Sequence, residues 1–121
     1  MILVDTSVWV DHLRNTEQLL VDVLGAGKVI MHSLVIGELA CGNLNRRADR
    51  LRDWHALPAI QELPNKDVLN LIETKALMGR GIGLVDAHLV GSVLNHSTAR
   101  LWTRDQRLKA IASELGIAFS E

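Results

Sequence analysis

The stretch that decides the fold is Met1-Ile2-Leu3-Val4-Asp5-Thr6-Ser7-Val8-Trp9, at the start of the 121-residue sequence. Ile2 to Val4 form a continuous apolar run, which is typical of a short strand covered on both faces. Asp5 interrupts the run, and Asp5-Thr6-Ser7 offers N-caps for a helix that carries Val8 and Trp9. The stretch therefore predicts a buried strand that leads directly into a helix, with an acidic side chain at the junction.

Further short apolar runs alternate with helical patterns along the rest of the chain. We expect strands at Lys28–Met31, Ala59–Leu63, Ala99–Trp102 and Ile117–Phe119, and helices at about 19–24, 33–41, 46–57, 65–78, 84–94 and 105–115. Ser33 and Asn65 are the expected N-caps of two of these helices. This alternation predicts an α/β fold in one domain, residues 1–121, with three α/β/α layers and a short parallel central sheet covered by helices on both faces.

Composition narrows the class of protein. With 48% hydrophobic residues the chain can bury a core, and its net charge of −1 excludes nucleic-acid binding through overall charge. The single cysteine, Cys41, excludes an intramolecular disulfide, and its apolar helical setting predicts a buried thiol. No apolar run is long enough for a signal peptide or a spanning helix, so we expect a cytoplasmic protein without membrane contact.

Four acidic residues fall where the predicted sheet has its carboxyl-terminal edge. Asp5 follows the first strand, and Asp105 follows the Ala99–Trp102 strand after a two-residue turn. Glu38 and Asp86 lie near the starts of two helices. Ligand sites of parallel α/β sheets lie at this edge, so we expect these carboxylates to converge.

Glu38 and Asp86 are the most informative of the four, because apolar residues surround both. No basic residue lies three or four positions further along either helix, and carboxylates are rarely buried without a partner. Carboxylates that converge raise one another's pKa values, and a divalent cation removes that conflict. Because the ligands are all oxygens, Mg²⁺ or Mn²⁺ is favoured over zinc.

Each carboxylate also has a simpler interpretation. Asp5 and Asp105 would serve as N-caps of the helices that follow them, and Glu38 would be a solvated residue at a helix edge. Asp86 would complement a helix dipole, a contribution of about 0.3–1 kcal/mol. The occurrence of all four at one predicted edge favours the metal site.

The motifs resemble those of PIN-domain ribonucleases and, more narrowly, of the VapC-type toxins of toxin–antitoxin pairs. The resemblance covers nearly the whole chain, and its four segments, each with an acidic residue, are Met1–Trp9, Ser33–Leu39, Leu84–Ala87 and Leu101–Asp105. His88 and Leu108 depart from the family, which more often has an apolar residue and a phenylalanine there. We interpret both as packing positions.

The resemblance implies a metal-dependent endoribonuclease that acts as the toxin of such a pair. Its catalytic residues would be Asp5, Glu38, Asp86, Asp105, Thr6 and Thr103. The first three carboxylates would bind Mg²⁺ or Mn²⁺, with Asp105 as a fourth ligand or an aid, and the threonines would orient a carboxylate or a metal-bound water. The implied partners are an RNA substrate, an antitoxin protein and a second copy of the chain in a homodimer.

Local basic residues offer contacts to RNA in spite of the low net charge. The candidates are Arg46, Arg47, Arg104 and Arg107. Phosphate contacts of this kind are salt-dependent and mostly non-specific. The alternative is a solvated charged surface, and the tryptophans are expected in the core rather than in a base-stacking platform.

Other classes with acidic strand ends fit less well. Phosphatases of the haloacid dehalogenase type need a second aspartate where this chain has Ser7. Response-regulator receivers need an aspartate after the third strand and a lysine after the last, and neither is present. A non-catalytic PIN-fold module that binds nucleic acid or protein remains the alternative, although all four acidic positions are filled.

Overall fold

The computed structural model describes all residues from Met1 to Glu121 and contains three strands and seven helices. The strands are β1 (Ile2–Val4), β2 (Val29–Ile30) and β3 (Arg100–Trp102). The helices are α1 (Thr6–Arg14), α2 (Gln18–Gly25), α3 (Ser33–Ala40), α4 (Arg47–Ala56), α5 (Asn65–Thr74), α6 (Leu84–Leu94) and α7 (Gln106–Glu114). None of these helices combines the length and apolar character that crossing a membrane requires.

The sheet is parallel and has the order β2-β1-β3, with the first strand of the chain at its centre. Ile2 is opposite Val29 on one side and Arg100 on the other. Beyond these strands, Met31 forms a single parallel bridge with Ala59, and Leu101 one with Ala118. The strands predicted at Ala59–Leu63 and Ile117–Phe119 are therefore too long, because each segment pairs through one residue at the edge of the sheet.

Both faces of the sheet are covered. Successive residues of a strand point to opposite faces, and all residues of β1 are buried, with Leu3 and Val4 at 0% exposure. Among the covering helices, α1 packs against α3, α3 against α4, and α5 against α6. The predicted three-layer α/β/α arrangement is confirmed.

The core is one cluster of 25 buried apolar residues that joins the sheet to the helices. Trp9, Trp54 and Trp102 all belong to it, as expected. The rings of Trp9 and Trp54 pack edge to face with their centroids 5.9 Å apart, which connects α1 to α4. Full burial of a large apolar side chain is worth about 1.5–3 kcal/mol, so this cluster holds the layers together.

Several local predictions are wrong. His32, rather than Ser33, caps α3, because the His32 Nδ1 accepts the Leu34 N–H at 3.1 Å. Pro64 occupies the N-cap position of α5, so Asn65 lies inside the helix. That helix ends at Thr74, before the predicted Met78, and Ala76 just beyond it has φ of +53°. Cys41 is exposed, since it lies at the C-cap of α3 on the surface.

Candidate metal centre

Asp5 is the most deeply placed carboxylate of the candidate site, with 5% of its surface exposed. Its backbone N–H donates to the Trp102 carbonyl at 2.8 Å, so the pairing of β1 with β3 sets its position. One carboxylate oxygen, Oδ2, accepts hydrogen bonds from the hydroxyls of Ser7 at 2.9 Å and Thr103 at 2.7 Å. Although Asp5 is the N-cap of α1, its side chain makes no capping bond. The simple capping interpretation of Asp5 is therefore wrong.

Asp105 reaches the same edge of the sheet through Thr103. The buried Thr103 hydroxyl donates to Asp5 and accepts the Asp105 N–H at 3.1 Å. The Asp105 Oδ1 caps α7 by accepting the Leu108 N–H at 3.0 Å, as the capping interpretation predicts. Capping occupies only that oxygen, and the Oδ2 of Asp105 has no hydrogen-bond partner within the chain.

Glu38 projects from α3 and is held by a residue of α1. The Thr6 hydroxyl donates to the Glu38 Oε1 at 2.6 Å, a short bond of the kind that hydroxyls make with ionised carboxylates. Glu38 is exposed, in agreement with the interpretation as a solvated residue at a helix edge. A cavity of about 370 Å³ opens beside it, lined in part by Leu13, Asn43 and Arg50.

Asp86 shows most clearly that the four carboxylates share one electrostatic environment. Burial, and to a smaller extent the negative charges of Asp5, Asp105 and Glu38, raise the pKa of Asp86 from 3.8 to about 6. A hydrogen bond from the Gly83 N–H to its Oδ2, at 3.3 Å, opposes these effects. The four carboxylates thus lie close enough for the charges of three of them to act on Asp86.

The donor set fits a divalent cation. Each of the four carboxylates uses one oxygen in hydrogen bonds within the chain and has no such bond at the other. None of them forms an ion pair with lysine, arginine or histidine. No three acidic, histidine or cysteine side chains are close enough together to hold one ion directly. An ion here would be bound through one or two carboxylates and water, which is the usual coordination of Mg²⁺.

The candidate RNA-binding arginines differ in how far ion pairs and hydrogen bonds within the chain already occupy their side chains. Arg107 forms no ion pair and lies against Gly81, where a Cβ would come within 2.5 Å of its side chain. Arg46 is paired with Asp49 at 3.2 Å but stays 77% exposed. Arg47 donates to the carbonyl of Ala40 at 2.7 Å and to that of Gly42, beyond the end of α3.

The expectation for Arg104 is not supported. Its guanidinium group is bound by the carboxylates of Asp11, Glu17 and Glu121 at 2.6–2.9 Å. With three carboxylates around one cation, the local net charge is negative, which disfavours contact with a phosphate. We therefore remove Arg104 from the set of RNA-binding candidates.

Sequence reasoning missed two contributors to the site. Ser7 was considered only as a possible N-cap, whereas its hydroxyl links the Asp5 carboxylate to the Arg104 N–H. No role is predicted for Gly83 from the sequence, whereas in the structure its N–H donates to the Asp86 carboxylate. The signal for Ser7 was its place two residues after Asp5, while the role of Gly83 depends on the backbone direction at the start of α6.

A comparison with known proteins identifies the class to which this fold belongs. The PIN domain family model matches residues 2–114, and the chain belongs to that family. The family resemblance of the sequence motifs is thereby confirmed.

Within that class, the chain is similar to Ribonuclease VapC32 of Mycobacterium tuberculosis, in the strains CDC 1551 / Oshkosh and ATCC 25618 / H37Rv. The two sequences are 47% identical over 124 residues, which cover 100% of this chain and 98% of the relative. Among solved structures, PAE2754 from Pyrobaculum aerophilum has the same fold, with a TM-score of 0.65 and 20% identity over 98% of this chain and 87% of that one.

Proposed function

We propose that this protein is a metal-dependent endoribonuclease that hydrolyses RNA phosphodiester bonds as the toxin of a toxin–antitoxin pair. One observation carries the proposal: four carboxylates without basic partners each have one oxygen free of hydrogen bonds, and burial together with the charges of the other three raises the pKa of Asp86. The similarity to a protein named as a VapC ribonuclease supports RNA as the substrate.

In this proposal Asp5, Glu38 and Asp86 bind the cation, one or two of them directly and the rest through water, and Asp105 is a further ligand of the same kind or aids the other three. When bound, Mg²⁺ or Mn²⁺ would lower the pKa of a water molecule and stabilise the charge that develops on the phosphate. Thr6 fixes one Glu38 oxygen at 2.6 Å and leaves the other free. Ser7 and the buried Thr103 do the same for Asp5.

Substrate binding is assigned to the surface around this centre. Arg107, on the first turn of α7 beside Asp105, has no acidic partner and is the first candidate for a phosphate contact. Arg46 and Arg47, at the start of α4, are further candidates, and both are exposed. The cavity beside Glu38 provides open space next to the centre.

An antitoxin protein and a homodimer are further parts of the proposal. Both rest on the similarity to VapC proteins, because the structure contains a single chain. Size-exclusion chromatography with light scattering would test the dimer, for which the expected mass is twice 13.4 kDa.

The experiment that tests the proposed activity is cleavage of a small-RNA pool by antitoxin-free protein, with Mn²⁺, with Mg²⁺ and with a chelator. Asp5→Asn tests the centre, and Asp22→Asn, an exposed carboxylate on α2, is the matched control. We expect discrete fragments that need the metal, persist in the control and disappear with Asp5→Asn. If the wild-type protein binds RNA but cleaves none with either metal, the non-catalytic module becomes the better account.

A further inference from the structure

Arg104 connects three separate parts of the chain to the acidic centre. Its Nη1 donates to Asp11 of α1 at 2.9 Å and to Glu17, just before α2, at 2.8 Å. Its Nε and Nη2 donate to the two carboxylate oxygens of Glu121, at 3.2 and 2.6 Å. We refer to Arg104, Asp11, Glu17 and Glu121 as the Arg104 clasp.

The backbone at Arg104 lies within the hydrogen-bond network around Asp5. The Arg104 N–H donates to the Ser7 hydroxyl at 3.0 Å, and that hydroxyl donates to the Asp5 Oδ2 at 2.9 Å. The preceding residue, Thr103, donates to the same oxygen at 2.7 Å and accepts the N–H of Asp105. Any displacement of Arg104 would therefore move both of its neighbours relative to Asp5.

The geometry of the clasp is suited to fixing a position. A single exposed ion pair contributes about 0–1 kcal/mol, so the stability gained from each of these contacts is modest. A planar guanidinium held at Nε and Nη2 by one carboxylate, and at Nη1 by two others, has little freedom to rotate. The Arg104 Cζ also lies over the Trp102 ring, 6.0 Å from its centroid.

We propose that Arg104 is a positioning residue, which through the clasp fixes Thr103 and Asp105 relative to Asp5. The inference rests on the proposed function, because it concerns the geometry of the same acidic centre. Partners that orient metal ligands typically change metal affinity or activity by about 10–100-fold when they are removed. We expect a change in that range in kcat and in Mn²⁺ affinity, with KM for RNA unchanged.

The test compares variants that change the arginine of the clasp with a variant that changes its carboxylate partners. Arg104→Met removes the charge at similar length, and the double variant Glu17→Gln, Glu121→Gln weakens the clasp without touching Arg104. Arg104→Lys keeps the charge but cannot hold one carboxylate with two nitrogens, so it should restore only part of the loss. Glu114→Gln is the matched control, since it breaks the bidentate pair with Arg80, at 2.7 and 2.8 Å, outside the clasp.

Three quantities are measured for each variant: kcat and KM on one RNA substrate, and Mn²⁺ affinity by electron paramagnetic resonance of the free ion in the absence of RNA. We expect weaker Mn²⁺ binding and lower kcat for the clasp variants, with values close to wild type for Glu114→Gln. Thermal unfolding is recorded alongside, and if Arg104→Met is unstable the glutamine double variant decides, because its side chains lie on the surface.

The possible failures are distinguishable. If the clasp variants match Glu114→Gln in kcat, KM and Mn²⁺ affinity, the positioning role is wrong while the ribonuclease stands. If KM rises and kcat and Mn²⁺ affinity are unchanged, Arg104 contacts RNA instead. A wild-type protein that neither binds Mn²⁺ nor cleaves RNA overturns the proposed function and the clasp together.

Discussion

Replacement of Asp86 by asparagine measures the free-energy cost of a charged carboxylate that is partly buried and lies near three others when no cation is bound. The pKa of Asp86 is 3.8 as an unperturbed group and about 6 in the folded protein. Because the pKa of Asp86 is higher in the folded protein, the stability that its protonated form contributes is fully present below pH 3.8. That contribution is lost as the pH rises through about 6. The shift corresponds to about 3 kcal/mol at most, and partial exposure reduces the expected cost to about 1–2 kcal/mol.

Asp86→Asn should therefore stabilise the metal-free protein, and more at pH 8 than at pH 4.5. The asparagine carbonyl still accepts the Gly83 N–H, so the change removes the charge and keeps the local hydrogen bond. Urea unfolding in the presence of a chelator gives the free energies, with Asp22→Asn as the control for loss of an exposed carboxylate. At pH 8 the expected gain is about 1–2 kcal/mol, which falls below about 1 kcal/mol at pH 4.5.

Addition of Mn²⁺ should make the wild-type protein more stable than Asp86→Asn, the reverse of the order expected without metal. The wild-type protein gains stability in proportion to the logarithm of the Mn²⁺ concentration, while Asp86→Asn gains less because a ligand is missing. If Asp86→Asn is less stable than wild type at pH 8 without metal, burial and the neighbouring charges do not destabilise the ionised Asp86, and the prediction is refuted. Equal effects at the two pH values would refute it as well.

Three further substitutions probe other parts of the account. Thr103→Val removes a buried hydroxyl that both donates and accepts, so urea unfolding should show a loss of about 1–3 kcal/mol and cleavage should slow. Arg107→Met should raise KM for RNA and leave kcat unchanged. It should also lower the salt dependence of RNA binding by the amount expected for the loss of about one phosphate contact. Gly81→Ala places a Cβ within 2.5 Å of the Arg107 side chain at a φ of +81°, so thermal unfolding should show a loss of about 1 kcal/mol or more.

Those parts of the fold that depend on short-range patterns could be predicted from the sequence. The apolar run of β1 indicated a strand covered on both faces, and the bounds of α6 match the prediction at both ends. The cap at Asp105 was also predictable, because its acceptor and the Leu108 N–H are only three residues apart.

Features that depend on contacts between distant residues could not be predicted in this way. Ser33 is a good N-cap by type, but its hydroxyl donates to Glu62 at 2.6 Å, which leaves the cap to His32. The edge segments at Ala59 and Ala118 have strand-like sequences, yet each finds only one residue to pair with.

The role of Arg104 at the candidate site could not be predicted from the sequence for the same reason. A basic residue beside a predicted metal ligand is a reasonable candidate for phosphate binding when only the sequence is known. Its carboxylate partners lie 93, 87 and 17 residues away along the chain, so nothing local revealed that the charge is already neutralised. The acidic residues were predictable because their own segments lack basic partners, whereas the partners of Arg104 are brought in by the fold.

The most direct test of the central claim is the anomalous scattering of Mn²⁺ in crystals of this protein. The account predicts a peak between Asp5, Glu38, Asp86 and Asp105, about 2.0–2.3 Å from oxygens of at least one of them and with water completing the coordination. The peak should be lost with Asp5→Asn and kept with Asp22→Asn. No peak at saturating Mn²⁺, or one only at other side chains such as Glu62 and His88, would contradict the assignment of the metal centre.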